Sequence, residues 1–135
     1  MTPTTTMPRT GFDFRRLREY QVAARDAFVS GVAKGLSRLI VQLPTGTGKT
    51  ILGLGLAAER GRTLYLAHRD ELIRQPIQKI RHFWPGCDYG VVKAESDLRN
   101  ARDIVFASVQ TACRPERLER SWEEKSGPFK LIIVD

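Results

Sequence analysis

Gly46-Thr47-Gly48-Lys49-Thr50 is the stretch whose residue types and spacing can do chemistry. Two glycines let a backbone turn sharply and aim its N–H groups into one concavity, which is how a loop cradles an anion. Lys49 adds a charge for terminal phosphates, and the Thr50 hydroxyl can ligate a divalent cation. Together with Thr45, these residues read as a polyphosphate site. Such a site needs a strand leading in and a helix leading out. Leu39 to Leu43 are mostly branched and apolar, as a buried strand requires, and Ile51 to Ala58 are good helix formers. The loop thus sits at a helix N-terminus, where free amides and the macrodipole favour negative charge. The general pattern G-x-x-x-x-G-K-[ST] wants glycine where this chain has Leu43. An ordinary glycine turn is the alternative, but it gives no reason for Lys followed by Thr at the first helical turn.

Other residues that could carry chemistry lie before and after this loop. Gln21 has an amide that donates and accepts at once, matching adenine's edge, and the neighbouring Tyr20 ring can stack on a base; taken alone, Gln21 equally reads as a surface helix residue. Leu17, Ala24, Phe28 and Val32 recur at helical spacing, so residues 12–34 read as an aromatic-led entry followed by a helix that carries the pair, with Arg25 off the stripe. Further on, residues 62–67 read as a strand, followed by His68 and Arg69 and a helix to about Phe83, in which Pro76 is expected to make a kink or leave a backbone carbonyl unpaired. Strands are also expected over 89–93 and 103–108, the second running into a helical start with Ser108, Gln110 and Thr111. The sequence ends on a fully apolar run, Leu131 to Val134, read as a central strand that delivers Asp135 to its tip.

Strands alternating with helical segments predict a mainly parallel sheet with helices on both faces. Ligands in such sheets bind at the carboxyl ends of the strands. Thr45 to Thr50, His68, Ser108 and Asp135 all fall at such ends and are expected on one rim. The length of 135 residues suits one domain, with residues 1–11 as a Thr- and Pro-rich tail. A net charge of +7 favours a polyanionic partner, though scattered arginines could equally serve solubility. No apolar run approaches the roughly 20 residues of a membrane span, so no membrane partner is expected. Cys87 and Cys113 form no metal-ligand or disulfide framework, which points to free thiols in a reducing, cytoplasmic setting.

In this order the segments resemble the first RecA-like domain of superfamily 2 helicases and translocases of the DEAD/DEAH-box group. The branch is the one containing DNA-repair helicases and the motor subunits of type I and type III restriction enzymes. Leu17 to Gln21 is similar to the group's adenine-sensing motif and Leu43 to Thr50 to its motif I, where a non-glycine first residue is common. Leu66 to Leu72 resembles motif Ia, and Ala107 to Thr111 the segment after it. Leu131 to Asp135 resembles the start of motif II.

The resemblance implies an incomplete RecA-like P-loop NTPase domain over 12–135, with ATP and Mg2+ as cofactors. Lys49 and Asp135 would be catalytic, and Thr50 and Asp135 would hold the metal. Tyr20, Gln21 and Thr45 to Thr50 would bind nucleotide. His68, Arg69, Ser108, Gln110 and Thr111 would lie along a nucleic-acid backbone, DNA ahead of RNA; for His68 and Thr111 a structural role weighs equally. The family's water-positioning Glu, second RecA-like domain and arginine fingers fall outside the 135 residues. A finger alone can contribute about 10³ to 10⁵ in rate, so little turnover is expected of these residues by themselves. The leading expectation is the ATP-binding part of an ATP-dependent helicase or translocase. The alternative is a catalytically inactive fragment that binds nucleotide or nucleic acid; a small P-loop kinase is a distant third.

Overall fold

The computed structural model describes residues 11–44, 48–92, 103–113 and 128–135. The expected tail up to residue 10, Thr45, Gly46 and Thr47 of the loop, the polar connection over 94–102 and the segments over 115–119 and 123–127 lie outside them, as do the side chains of Asp70 and Glu71.

The chain enters through a 3-10 turn at Phe14–Arg16, whose first turn is capped by Asp13 accepting from the Arg15 N–H at 3.2 Å. Among the described residues four helices follow in chain order: α1 (Glu19–Ala33), α2 (Lys49–Arg60), α3 (Arg74–Phe83) and the short α4 (Val109–Ala112). The strands are β1 (Thr63–Ala67), β2 (Tyr89–Val92), β3 (Ile104–Ser108) and β4 (Leu131–Val134). All pairings are parallel, in the order β2-β3-β1-β4. This is the α/β architecture the alternating pattern predicts, and it matches part of a RecA-like domain.

Strand periodicity sorts the core. Thr63, Tyr65 and Ala67 of β1, with Ile104 and Phe106 of β3, face a large cluster completed by Leu54, Ala57 and Ala58 of α2 and Ile80 of α3. The alternate residues Leu64, Leu66, Val105 and Ala107 face a smaller cluster with Val92, Ala112 and Phe129. The entry segment closes the large cluster: Phe12 lies 4.7 Å from Phe14 and 6.3 Å from Trp84 between ring centres, and the Asp13 N–H donates to the Phe83 carbonyl at 2.8 Å. Arg25 and Glu59 tie α1 to α2 through two bonds of 2.8 and 2.6 Å, a bidentate fork that fixes orientation as well as distance.

Three features differ from the sequence reading. Leu39 to Leu43 carries no strand assignment, and Ile40 is 96% exposed. Its alternation survives, because Leu39, Val41 and Leu43 line a cleft whose opposite wall is β4, but no ladder bonds join the two. For that reason β4 is an edge strand among the described residues, with Ile132 and Val134 exposed, rather than a buried central one. Pro76 does not kink a long helix. The chain runs a 3-10 turn over Asp70–Ile73 and starts α3 afresh, putting Pro76 in the first turn, where a missing N–H costs nothing.

Both cysteines are free. Burial pushes the Cys87 thiol well above its ordinary range, and the charges of Asp103 and Asp88 push the same way, whereas Cys113 is exposed. Thiolate is the reactive form. A maleimide at pH 8 is therefore expected to modify Cys113 quickly and Cys87 only after denaturant is added, as peptide mass spectrometry would report. Equal rates at the two would contradict this packing.

Candidate functional site

Helix α2 starts where the phosphate loop ends. Gly48 is its N-cap, in the left-handed region at φ 81°, a conformation glycine adopts without a Cβ penalty. The first turn contains no acidic residue, and its first position is the exposed Lys49. A cation here opposes the helix dipole. Two positive sources thus converge on one spot, an arrangement that an anion relieves.

Gln21 is buried, with 3% of its surface exposed. It lies on the inward stripe of α1 with Ala24 and Phe28, while Leu17 precedes the helix in extended backbone. Its amide oxygen accepts from the Arg18 N–H at 2.8 Å, half of a capping box, and its amide nitrogen donates to the Gly48 carbonyl at 3.1 Å. The amide therefore links the start of α1 to the phosphate loop. Tyr20 beside it is 38% exposed.

On the far side of α2, parity brings three polar groups together. Tyr65 and Ile133 are partners across β1 and β4, so Asp135, two residues on, lies on the same face as Tyr65 and as α2. The Asp135 N–H donates to the Leu66 carbonyl at 2.8 Å, which fixes its backbone beyond the end of the strand. The Tyr65 hydroxyl donates to Asp135 Oδ2 at 3.0 Å. Burial, then the Asp135 charge and hydrogen bond, raise the Tyr65 pKa far above its usual range, with the neighbouring Thr50 side chain opposing in part. The phenol stays protonated and remains a donor. Lys49, Tyr65 and Asp135 line one cleft between α2 and β4.

Thr50 and Asp135 offer one hydroxyl and one carboxylate, hard oxygen donors of the kind Mg2+ takes. Among the described residues no three His, Cys, Asp or Glu side chains cluster as a metal cage. That donor set fits a cation completed by phosphate oxygens and water, as Mg2+ usually is at phosphates. Tyr65 was not singled out by sequence reasoning, because a tyrosine inside an apolar run reads as core. Its signal is parity: it is the polar-tipped residue nearest the carboxyl end of β1 on the face that α2 covers.

The expected nucleic-acid residues separate into two groups. His68, Arg69 and Gln110 are exposed. Ser108 and Thr111 are buried, and their hydroxyls meet each other at 2.9 Å, while Ser108 Oγ also accepts from the Thr111 N–H at 3.1 Å. That pair caps α4. The register pairs Ala67 with Ser108 and Leu66 with Val134, so His68, Ser108 and Asp135 do share the carboxyl rim of the sheet.

Residues 15–135 match the family model described as type III restriction enzyme, res subunit. The candidate ATP-dependent helicase IRC3 of Saccharomyces cerevisiae is 30% identical over 132 residues, covering 88% of this chain and 18% of the yeast protein. A candidate mitochondrial ATP-dependent helicase of Schizosaccharomyces pombe is also 30% identical, covering 95% of this chain and 22% of its own length. The type I restriction enzyme EcoAI endonuclease subunit of Escherichia coli is 29% identical over 87% of this chain and 15% of its own. The chain thus spans about a fifth of the length of these relatives.

Proposed function

The chain belongs to the family of the type III restriction enzyme res subunit, and from that premise we propose that it is the ATP-binding part of an ATP-dependent helicase or translocase acting on nucleic acid. The observation that carries this reading is the cleft that Lys49, Tyr65 and Asp135 line together, with the Tyr65 hydroxyl bonded to Asp135. In this reading the loop amides over Thr45 to Gly48 and the α2 N-terminus hold the phosphates, and Lys49 neutralises the terminal one. Thr50 and Asp135 hold Mg2+, which when bound screens phosphate charge during transfer. Gln21, with Tyr20, sets the loop against the base side.

The nucleic acid, with DNA ahead of RNA, runs along the carboxyl rim. His68, Arg69 and Gln110 are the exposed contacts, and Ser108 and Thr111 fix the start of α4 that presents Gln110. Helix starts, arginine and polar side chains position a phosphate backbone without reading its sequence. Turnover and movement would further require the water-positioning Glu, a second RecA-like domain and arginine fingers. Free thiols suit a reducing compartment, for which the cytoplasm is our reading; no helix among the described residues is long and apolar enough to cross a membrane.

A fluorescent ATP analogue titrated onto the chain with Mg2+ tests the assignment. Lys49→Ala is expected to weaken binding at least about tenfold, since charge-assisted bonds contribute roughly 1.5–3 kcal/mol. Equal binding by the two proteins would remove the nucleotide reading. Phosphate release stimulated by nucleic acid, measured on the same 135 residues, would separate a working motor part from a module that binds without turnover.

A further inference from the structure

We propose that Tyr65 is a positioning residue for the metal site: its hydroxyl donates to Asp135 and holds that ligand in place before a cation arrives. The inference rests on the nucleotide reading above and adds a residue to it. Asp135 comes from an edge strand and is exposed, while Thr50 comes from the first turn of a helix. Tyr65 stands between them on β1, an inner strand of the sheet, with only 2% of its surface exposed. Its ring is wedged against Phe106, 5.2 Å away between centres, and lies under α2 at Gly53, where a Cβ would sit 3.7 Å from Cε2.

A ring held on both sides has little rotamer freedom, so its oxygen is a fixed point. The 3.0 Å bond engages Oδ2 of Asp135 and leaves the other carboxylate oxygen for a cation or its water. Groups one bond removed from a metal commonly change its affinity about 10–100-fold when removed, because they orient the ligands. A tyrosine that served only the core would lose its hydroxyl with an effect on stability and none on metal dependence.

The test is Mg2+ titration of the fluorescent ATP analogue on the wild-type chain, Tyr65→Phe, Asp135→Asn and the double variant, with a parallel series in EDTA. Tyr65→Phe is expected to bind the analogue normally in EDTA and to need about tenfold more Mg2+ for the tightened state. In the Asp135→Asn background the same change should add nothing. Wild-type Mg2+ dependence in Tyr65→Phe, or an effect that persists undiminished without the Asp135 carboxylate, would overturn the proposal while leaving the nucleotide assignment standing. A wild-type chain that binds no analogue at all would overturn both. Should Tyr65→Phe not fold, the wild-type chain labelled with 3-fluorotyrosine carries only three tyrosines. One fluorine resonance is then expected to move when Mg2+ joins bound nucleotide, and to be still in Asp135→Asn; three unmoved resonances would sink the idea.

Discussion

Gly48→Ala is expected to destabilise the folded chain by about 3 kcal/mol, and about half of that cost should already be spent in a chain that lacks Gln21. Two terms make up the figure. A non-glycine residue in the left-handed region costs roughly 1–2 kcal/mol, and Gly48 sits there at φ 81°. The second term is contact: a Cβ on Gly48 would lie 2.4 Å from the Gln21 amide nitrogen, closer than any real carbon tolerates. Gln21 would have to leave, giving up its bonds to Gly48 and Arg18, which at about 1 kcal/mol each comes to roughly 1–2 kcal/mol after relaxation. Gln21→Ala alone removes the same bonds, so the double variant should cost about 3 kcal/mol, against roughly 4.5 if the effects were independent. Urea unfolding of the four proteins reads the difference. Additive behaviour would mean that Gln21 does not rest on the loop. The consequence reaches function, because this amide is the physical link between α1 and the start of α2.

How far the fold could be read in advance depended on whether a segment's partner was also in view. The strands β1 and β3 and helix α2 were legible from local pattern: apolar runs of the right length for strands, and helix formers after Gly48-Lys49-Thr50. Leu39 to Leu43 had an equally good strand pattern and forms none, because a strand is completed by a ladder and β4 offers it none. Local pattern specified the alternation of Leu39, Val41 and Leu43 toward the cleft; it could not specify pairing. Pro76 was misjudged for a related reason. The break between the 3-10 turn and α3 just before it turns a proline that should kink a helix into one that starts it.

The candidate site divides in the same way. Lys49, Thr50 and Asp135 were nameable because loop and strand-end positions with chemistry-bearing side chains stand out against apolar surroundings. Gln21 was ambiguous between a base reader and a surface residue, and its burial is neither a loop nor a strand-end property. It follows from sitting on the same helical stripe as Ala24 and Phe28, with a glycine carbonyl in reach. Ser108 and Thr111 look like phosphate contacts in one dimension. In three they are a cap whose hydroxyls are already engaged with each other. Tyr65 needed both strand parity and the position of β4, and only the second was hidden.

Phe106→Ala is expected to be the most damaging single truncation in the sheet, and its effect should reach the proposed metal ligand Asp135 through Tyr65. Phe106 lies in β3, flanked by β2 and β1, with none of its surface exposed. Its ring meets Tyr65 at 5.2 Å and Tyr89 at 6.0 Å, the latter edge to face. Removing a buried phenylalanine side chain typically costs about 3–5 kcal/mol, part transfer energy and part cavity. Against a domain stability of roughly 5–15 kcal/mol, that loss can consume most of the margin. Phe106→Leu, which refills much of the volume, should cost less than half as much, so the pair separates cavity formation from any change of sheet register. Urea midpoints measured at constant slope would show it. The cavity would also free one side of the Tyr65 ring, and a ring able to tilt no longer fixes its hydroxyl. Phe106→Leu should then bind nucleotide with near-normal strength in EDTA but respond more weakly to Mg2+, in the direction of Tyr65→Phe though smaller. A Phe106→Ala cost under about 1 kcal/mol would mean that the face shared by β1, β3 and α2 is not packed as described.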